Sequence, residues 1–382
     1  MKRSTERILT THTGSLPRPD DLVSLLYARD KGEAVDEVAF ERRVQEAVKE
    51  VIRKQVEAGL TVINDGEMGK VGYSTYVKDR LTGFEGEARG GSRLIEATQF
   101  PSYFQRTLGT MPAFQRPACS GPISWKGDAG VRRDVATFRA ALEGVSPEDR
   151  FLSAASPGVA GYFLPNQYYP SHEAYIFAVA DAMQHEYRAI HDAGFLLQVD
   201  CPDLAMSWNS RDFADKTVAD FRRYVEVHVA ALNHALAEIP AEDVRMHVCW
   251  GNYEGPHLRD VPFREIVETI LKAKPSAISF EAANPRHEHE WRIWEDVKLP
   301  DGKILIPGVL DSTTNFVEHP RLVADRIGRF ARLVGRENVI AGTDCGFSTF
   351  AGFLTVDPQI TWLKLAALAE GAQLASAELW RD

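Results

Sequence analysis

Short apolar runs alternate along this chain with longer stretches in which apolar residues recur every three or four positions. The short runs are typical of buried β-strands, and the longer stretches are typical of amphipathic helices. Because the two patterns alternate through most of the chain, the sequence predicts an α/β fold. Eight short runs can be counted, and the strands that they predict begin at Ile8, Thr61, Phe151, Phe195, Val244, Ala277, Ile304 and Val339.

Helical periodicity predicts six longer helices between and after these strands, at residues 40–58, 174–192, 219–237, 263–273, 322–333 and 359–372. Eight strand and helix units in one chain predict a single (β/α)8 TIM barrel over residues 1–382, with its site at the carboxyl ends of the strands. A doubly wound open sheet would show the same alternation. The strand count and the absence of a G-x-G-x-x-G turn favour the barrel.

Residues 68–150 are too many for a simple connection between a strand and a helix. We expect them to form a long insertion after the second strand, with a helix and a hairpin beside the barrel mouth. The Gly-rich turn of this hairpin is expected within residues 83–100, GFEGEARGGSRLIEATQF. No repeat, low-complexity tract or linker divides the chain, so a single domain is predicted.

Composition excludes several classes of partner. The chain has 382 residues, a formal net charge of -10 and no block of basic residues, which argues against nucleic acid. No run approaches the roughly 18 apolar residues of a membrane span, and the first residues lack the apolar segment of a signal peptide. Four cysteines fit a reducing compartment. We expect a soluble, cytoplasmic protein with no membrane partner, either a monomer or a homo-oligomer.

Four potential metal ligands follow apolar runs at the predicted strand ends. His247 and Cys249 lie two apart in VRMHVCW, so both side chains point to the same face of one strand. Glu281 ends AISFEA, and Cys345 lies in VIAGTDCGF. Two thiolates, an imidazole and a carboxylate suit Zn²⁺, and ligands from different strands can converge at a barrel mouth. Taken alone, the H-x-C pair has a simpler interpretation without a metal: a buried Cys beside a hydrogen-bonded His.

These motifs, in this order, resemble the C-terminal catalytic barrel of the cobalamin-independent methionine synthases. The similarity runs from Thr10 to about Gly346. Three of the motifs carry the metal ligands: H-x-C (His247, Cys249), the Glu of AISFEA (Glu281) and D-C-G (Asp344, Cys345, Gly346). The other three are the T-x-G-S-x-P opening (Thr13, Gly14, Ser15), the G-E that ends the second strand (Gly66, Glu67) and Q-V-D-x-P (Gln198, Val199, Asp200, Pro202).

The resemblance implies a zinc-dependent enzyme that transfers a methyl or alkyl group to a thiol. In this reading Zn²⁺ is held by the four ligands, and Ser15, Glu67 and Asp200 bind a homocysteine-type thiol, with the two carboxylates facing its ammonium group. Asp311 is expected in the same substrate-binding set, and Glu67 and Asp200 are the expected catalytic residues. The alkyl donor would be a methylated folate, a corrinoid or an epoxide. A carboxylate that only caps a turn is the simpler interpretation of Glu67.

The chain also departs from the family pattern. We expect a stand-alone catalytic barrel without the family's N-terminal half. GVLDSTTN also lacks the histidine that the family carries shortly after the aspartate corresponding to Asp311. The family's Trp-containing pterin loop has no clear match in GYFLPNQYYP, where Tyr168 and Tyr169 could instead stack on a flat cofactor or simply pack.

Two further interpretations remain open. The chain is also similar to epoxyalkane:coenzyme M transferases, in which a zinc-bound thiolate opens an epoxide; Arg18 and Lys70 are then candidates to bind a sulfonate, although a solvated surface position is favoured for both. A non-catalytic zinc- or thiol-binding barrel would have four ligands and no open position. His287 and His289 could form a second metal site, but a solvated loop is favoured there.

Overall fold

The computed structural model describes residues 1–87, 93–107, 109 and 114–381. Part of the Gly-rich turn expected within residues 83–100 lies outside the described residues. The architecture is α/β, and every pairing between its named strands is parallel. The strands are Leu9–Thr10 (β1), Val62–Ile63 (β2), Asp149–Ala155 (β3), Leu196–Asp200 (β4), Val244–Val248 (β5), Ala277–Phe280 (β6), Ile304–Pro307 (β7) and Ile340–Ala341 (β8).

Six of these strands form one curled sheet in the order β2-β3-β4-β5-β6-β7, and β1 pairs with β8. Parallel bridges Leu305↔Val339 and Gly308↔Gly342 join β7 to the chain around β8. On the other side of the pair, the Thr61 amide donates to the Thr10 carbonyl oxygen at 3.2 Å. All eight predicted strands are therefore found within a few residues of their expected starts.

The helices cover both the predicted periodic stretches and several segments that the pattern did not reveal. Among the missed helices are α1, α7 and the short helices between β2 and β3. In chain order the helices are Asp20–Asp30 (α1), Glu37–Glu57 (α2), Val77–Arg80 (α3), Glu96–Gln99 (α4), Pro101–Thr107 (α5), Ala129–Ala141 (α6), Pro157–Phe163 (α7), His172–Asp192 (α8), Val218–Ala235 (α9), Val267–Ile270 (α10), Ile293–Asp296 (α11), Pro320–Val334 (α12) and Pro358–Leu379 (α13).

The helix expected at residues 263–273 is wrong in extent. A 3₁₀ turn at Phe263–Glu265 is followed by the single α-helical turn Val267–Ile270. The β-branched residues in VETI have low helix propensity, and Pro275 ends the segment, so the apolar spacing was not enough for a longer helix. None of the described helices combines the length and hydropathy that crossing a bilayer would need.

The segment between β2 and β3 contains four helices, α3 to α6, rather than one helix and a hairpin. Its described residues contain no named β-strand, only isolated bridges such as Leu81↔Trp125 and Gly86↔Ala118. The predicted hairpin is therefore not found among them. Two further bridges, Gly72↔Phe350 and Leu94↔Ser210, attach the segment to loops that follow β8 and β4.

The concave face of the sheet changes from apolar to polar toward the carboxyl ends of the strands. Alternate residues of a strand share one face, which places Leu196, Gln198 and Asp200 in sequence along β4. Along β5 the residues of that face are Arg245 and His247, both buried. Apolar residues therefore fill the amino end of this face, and the groups able to do chemistry collect at the carboxyl end.

Candidate active site

A cavity of ≈ 780 Å³ opens at the carboxyl ends of the strands. Its inner part is polar and includes six of the residues singled out by motif or geometry: Ser15, Glu67, Asp200, His247, Cys249 and Cys345. Its outer part is mainly aromatic, and the insertion and the loops after β3, β5 and β8 contribute Tyr73, Phe114, Tyr162, Phe163, Tyr253, Phe350 and Phe353.

The structure brings three of the four predicted metal ligands together. Ligand atoms of His247, Cys249 and Cys345 all lie within 4.8 Å of one another, and all three residues are buried. The two sulfur atoms are 3.5 Å apart. β5 supplies the imidazole and, one residue beyond its end, the first thiol, while the loop after β8 supplies the second. Two thiols and one imidazole at this separation form a donor set that suits zinc.

The electrostatics of His247 also fit a metal ligand. Burial, and then the positive charge of Arg245, lower the pKa of His247 to about 3, so its imidazole is neutral. Its Nδ1 atom lies 3.0 Å from the Ser279 hydroxyl oxygen, whereas its buried Nε2 atom has no hydrogen-bond partner among the described residues. A neutral imidazole with one nitrogen held by an outer partner and the other free is the usual form of a zinc-binding histidine.

The two thiols are held where a cation would stabilise their ionised forms. The hydrogen bond shared with Cys345 and then burial raise the pKa of the Cys249 thiol well above its ordinary value. For Cys345 the same hydrogen bond lowers the pKa, but burial and the charge of Glu281 raise it above its ordinary value overall. A nearby dication reverses this balance, because it stabilises thiolates directly. A bound cation would therefore favour the ionised form of both thiols.

Glu281 lies behind this group rather than in the cavity. One of its carboxylate oxygens accepts from the Trp250 amide at 2.7 Å, and the other accepts from the Asn284 side chain at 2.8 Å. A hydrogen bond with Glu281 also lowers the pKa of Cys249, against the larger effects that raise it. Its role as fourth zinc ligand stays a prediction.

Replacing Ser279 with Ala should weaken zinc binding without abolishing it. The substitution removes the partner of His247 Nδ1, and loss of an outer-shell partner costs about 10- to 100-fold in metal affinity. Competition with a chromophoric chelator measures this change. Ser276→Ala is the matched control, because the Ser276 hydroxyl precedes the same strand and has no partner among the described residues. Equal zinc affinities for the two variants would contradict the role of Ser279.

Glu67 and Asp200 form a buried carboxylate pair on the other side of the cavity. Glu67 Oε1 accepts from the Ser153 hydroxyl at 2.9 Å, and its buried Oε2 has no hydrogen-bond partner among the described residues. Burial and then the charge of Glu67 raise the pKa of Asp200 well above its ordinary value. Two buried acids favour a ligand that carries a positive charge, since such a ligand removes their mutual repulsion.

A strained turn after β2 presents Glu67 to the cavity. Glu67 has φ 57°, a left-handed conformation that is uncommon for a residue other than glycine, and it follows Gly66 with φ 65°. The Asn64 and Asp65 side chains accept the amide hydrogens of Gly66 and Glu67 at 2.8 and 3.0 Å. The turn is thus fixed by its own polar residues, which is typical of strain kept at a functional site.

Arg18 is buried and supports this turn, so the expectation of a solvated position is wrong for it. Its buried guanidinium donates to the Glu67 carbonyl oxygen at 2.8 and 3.1 Å and to the Ser348 carbonyl oxygen at 2.6 Å. Lys70 is also partly buried and donates to the Ser153 carbonyl oxygen at 2.5 Å. Neither residue lines the main cavity among the described residues, so neither is placed to bind a sulfonate there.

Ser15 is packed closely against the D-C-G loop. A Cβ atom added at Gly346 would lie 2.1 Å from the Ser15 hydroxyl oxygen, and one added at Gly14 would lie 2.6 Å from Glu67 Oε1. Gly346 is therefore needed for Ser15 to pack against the D-C-G loop, and Gly14 is needed for the Glu67 carboxylate to pack against the opening loop. This close approach gives a physical reason for both glycines of the motifs.

Asp311 does not line the cavity as the structure describes it. Its carboxylate accepts from the Thr313 amide and hydroxyl, both at 2.9 Å, and from the Thr314 hydroxyl at 2.8 Å. The side chain thus organises its own loop, and substrate binding by Asp311 stays a prediction. Tyr168 and Tyr169 also lie outside the cavity lining.

The histidines of NPRHEHE separate into two environments. His289 is exposed, as expected, but His287 is buried and lies 2.9 Å from Asp260 and 2.8 Å from Glu290. Burial opposes its charge, yet hydrogen bonds to these two acids raise the pKa of His287 to about 10. The solvated-loop interpretation is therefore wrong for His287, which forms a buried ion pair.

Sequence reasoning missed three residues that shape the site: Tyr73, Arg245 and Ser279. Arg245 is buried beneath the cavity, 4.1 Å from the Phe151 ring centroid, and donates to the Thr11 hydroxyl at 2.9 Å. The two-residue spacing of Arg245 and His247 within VRMHVCW was the available signal for the arginine. Tyr73 comes from the insertion, so no strand pattern pointed to it.

Comparison with known proteins shows which family this chain resembles. The family described as "Cobalamin-independent synthase, Catalytic domain" matches residues 168–366. A methionine synthase of Thermococcus kodakarensis is 24% identical over 377 residues, covering 98% of this chain and 95% of that protein. A 2-hydroxypropyl-CoM lyase of Xanthobacter autotrophicus is 22% identical over 404 residues, covering 97% and 96%.

The fold is also that of a solved structure, the B12-independent methionine synthase from Shewanella sp. W3-18-1 in complex with selenomethionine. The TM-score is 0.74 at 20% sequence identity, and the match covers 98% of this chain and 99% of that one. The chain belongs to the family of the cobalamin-independent synthase catalytic domain. The resemblance inferred from the motifs is thereby confirmed.

Proposed function

We propose that this protein is a zinc-dependent thiol methyltransferase that methylates homocysteine, and thus that it serves methionine biosynthesis. The observation that carries the proposal is the cluster of His247, Cys249 and Cys345, which lines the same cavity as Glu67 and Asp200. Zinc, when bound, supplies a lowered pKa for a ligating thiol, which favours the nucleophilic thiolate. Several homologues that match nearly the whole chain are methionine synthases.

The protein's own residues hold the amino acid part of the substrate in this proposal. Glu67 and Asp200 bind the ammonium group, which also relieves the repulsion between their buried carboxylates. Ser15, beside Cys345, offers its hydroxyl to the same substrate. Binding at these three points orients the substrate sulfur toward the ligand cluster, and such orientation is a large part of the rate gain available to an enzyme.

The outer cavity suits a flat donor with an anionic end. Phe163 and Phe350 line it, with ring centroids 5.9 Å apart in an edge-on arrangement, and Arg116 stands at its rim over Phe114. Aromatic side chains bind flat rings, and an arginine can pair with a carboxylate. A methylated folate combines these two features, and we propose it as the methyl donor.

We also propose that the eight strands close into one (β/α)8 barrel and that residues 1–382 form a single domain. The bridges between β7 and β8, the pairing of β8 with β1 and the Thr61 to Thr10 hydrogen bond support closure. Residues 68–150 would then be an insertion at the barrel mouth. Support for that placement comes from Tyr73 and Phe114, which lie in this segment and line the cavity.

Opening of an epoxide by coenzyme M is the second candidate, and the relative from Xanthobacter autotrophicus favours it. The thiol of that reaction carries a sulfonate, which two buried carboxylates would repel. The charge of the site therefore favours homocysteine over coenzyme M as the thiol substrate. A non-catalytic zinc barrel is disfavoured, because the cavity reaches Cys249 and Cys345 and leaves room for a substrate beside them.

A paired assay tests the proposal. The purified protein, with its zinc content measured, is given homocysteine with methyltetrahydrofolate or methylcobalamin, and in parallel coenzyme M with epoxypropane. We expect zinc at one equivalent or close to it and methionine as the product of the first reaction. Zinc-independent turnover would overturn the metal role, and product only from coenzyme M would select the second candidate.

A further inference from the structure

Tyr73 belongs to the aromatic outer part of the main cavity, which also contains the ligand cluster of His247, Cys249 and Cys345. Its amide donates to the Thr349 carbonyl oxygen at 3.3 Å, next to an antiparallel bridge between Gly72 and Phe350. Its ring centroid lies 5.7 Å from that of Phe350 and 5.9 Å from that of Phe163. The ring is therefore held by backbone and by packing, and its position does not depend on the hydroxyl.

The Tyr73 hydroxyl has no hydrogen-bond partner anywhere in the described part of the chain. Its electrostatic neighbours are the groups of the candidate site. Burial, and then the charges of Cys249, Cys345 and Asp200, raise the pKa of Tyr73 well above its ordinary value. The phenol thus carries its proton at neutral pH.

The other tyrosines that line the cavity are placed differently. The Tyr253 hydroxyl donates to Glu96 at 3.0 Å, so it already has an acceptor. The charged neighbours of Tyr162 are Arg93, Asp212 and Arg116, at the outer rim rather than at the thiols. Of the three, Tyr73 is the one whose backbone is bonded to the loop that follows Cys345, through its amide and Thr349.

We propose that Tyr73 is the general acid of the alkyl transfer: its hydroxyl hydrogen-bonds the leaving atom of the alkyl donor and protonates that atom as the carbon–sulfur bond forms. This inference rests on the proposed function and adds a catalytic residue to it. Tyr73 lines the cavity together with Phe163 and Phe350, where we place the donor, and with Cys249 and Cys345, so a donor bound there lies beside its ring. Asp200 lies on β4 at the floor, where the carboxylate pair is assigned to the ammonium group.

The step balances in electrons and protons. A sulfur electron pair forms the new bond to carbon, and the bond from carbon to the leaving nitrogen or oxygen breaks with its pair on that atom. The Tyr73 proton moves to the leaving atom. The phenolate then recovers, through solvent, the proton that the substrate thiol released when it became a thiolate. No oxidant or reductant is required.

Tyr73→Phe tests the inference when donors with different leaving groups are compared. Methyltetrahydrofolate and epoxypropane leave a nitrogen or an oxygen that needs a proton, whereas iodide leaves methyl iodide without one. With a donor of the first kind kcat should fall by about 100-fold or more, the range of general acid catalysis. The rate of homocysteine methylation by methyl iodide should change by less than about threefold, since no proton is transferred.

Two controls keep the result specific. Zinc content and the methyl iodide rate report whether the Tyr73→Phe protein is folded and metal-loaded. Tyr168→Phe removes a hydroxyl from a tyrosine that is 51% exposed and outside the cavity lining, and it should behave as wild type with every donor.

Three outcomes would overturn the role of Tyr73. They are an unchanged kcat with the proton-requiring donors, an equal loss with methyl iodide, and a wild-type enzyme that uses only methyl iodide or methylcobalamin, whose leaving groups need no proton. A wild-type enzyme that alkylates no thiol with any of these donors would instead overturn the proposed function, and this inference with it.

Discussion

Cys345→Ser should remove bound zinc and reduce thiol methylation to the background rate. Cys345 Sγ lies 3.5 Å from Cys249 Sγ, and both atoms belong to the only cluster of three soft ligands within the described residues. Serine oxygen is a harder and far more basic donor than a thiolate, so it does not replace sulfur on zinc. The loss should exceed the about 100-fold that removal of an outer-shell partner costs.

Metal analysis and kinetics on the same preparation check this prediction. Cys119→Ser is the matched control: Cys119 is also buried, but its thiol donates to the Gly121 carbonyl oxygen at 3.4 Å and does not line the cavity. The control should keep zinc and turnover. If Cys345→Ser loses its zinc yet keeps full turnover, the metal has no part in the chemistry.

The eight strands could be predicted because each is a short apolar run that ends in a polar residue. The run before Asp200 and the run that includes His247 both coincide with strands. Helix α7 was missed because PGVAGYF is short and rich in small residues, although Ser156 caps it by accepting from the Val159 amide at 2.9 Å. Apolar spacing predicts only helices that are long enough for the spacing to recur, and α7 is too short for that.

Local sequence patterns predicted some residues of the candidate site, but they could not predict residues whose positions depend on distant segments. H-x-C placed two ligands on one strand face from the sequence alone, because strand geometry determines where alternate side chains point. Tyr73 depends on the bridge between Gly72 and Phe350, which are 278 positions apart, and no local pattern reports such a pairing. Arg18 was expected at the surface for a related reason: the carbonyl groups that it binds, of Glu67 and Ser348, come from distant segments.

Glu67→Gln should lower kcat/KM for homocysteine strongly while leaving zinc in place. Glu67 is 2% exposed, and Asp200 is the neighbouring acid. The Glu67 Oε2 atom has no hydrogen-bond partner among the described residues and lies 4.0 Å from the Arg18 guanidinium. If the pair binds an ammonium group, removal of one charge from this buried contact costs about 2–5 kcal/mol. That loss corresponds to roughly 30-fold to several thousand-fold in kcat/KM.

A thiol without the ammonium group tests whether the loss of kcat/KM in Glu67→Gln comes from the lost contact between the Glu67 carboxylate and that group. Wild-type enzyme should strongly prefer homocysteine over 4-mercaptobutyrate, which lacks only the amino group, because the latter brings no positive charge to offset the repulsion between Glu67 and Asp200. In Glu67→Gln the preference should shrink by about the same free energy that homocysteine loses, since the two changes remove one interaction. If the preference is unchanged in Glu67→Gln, the carboxylate pair does not bind the ammonium group. The charge argument against a sulfonate thiol would then fail, and coenzyme M would become the better candidate.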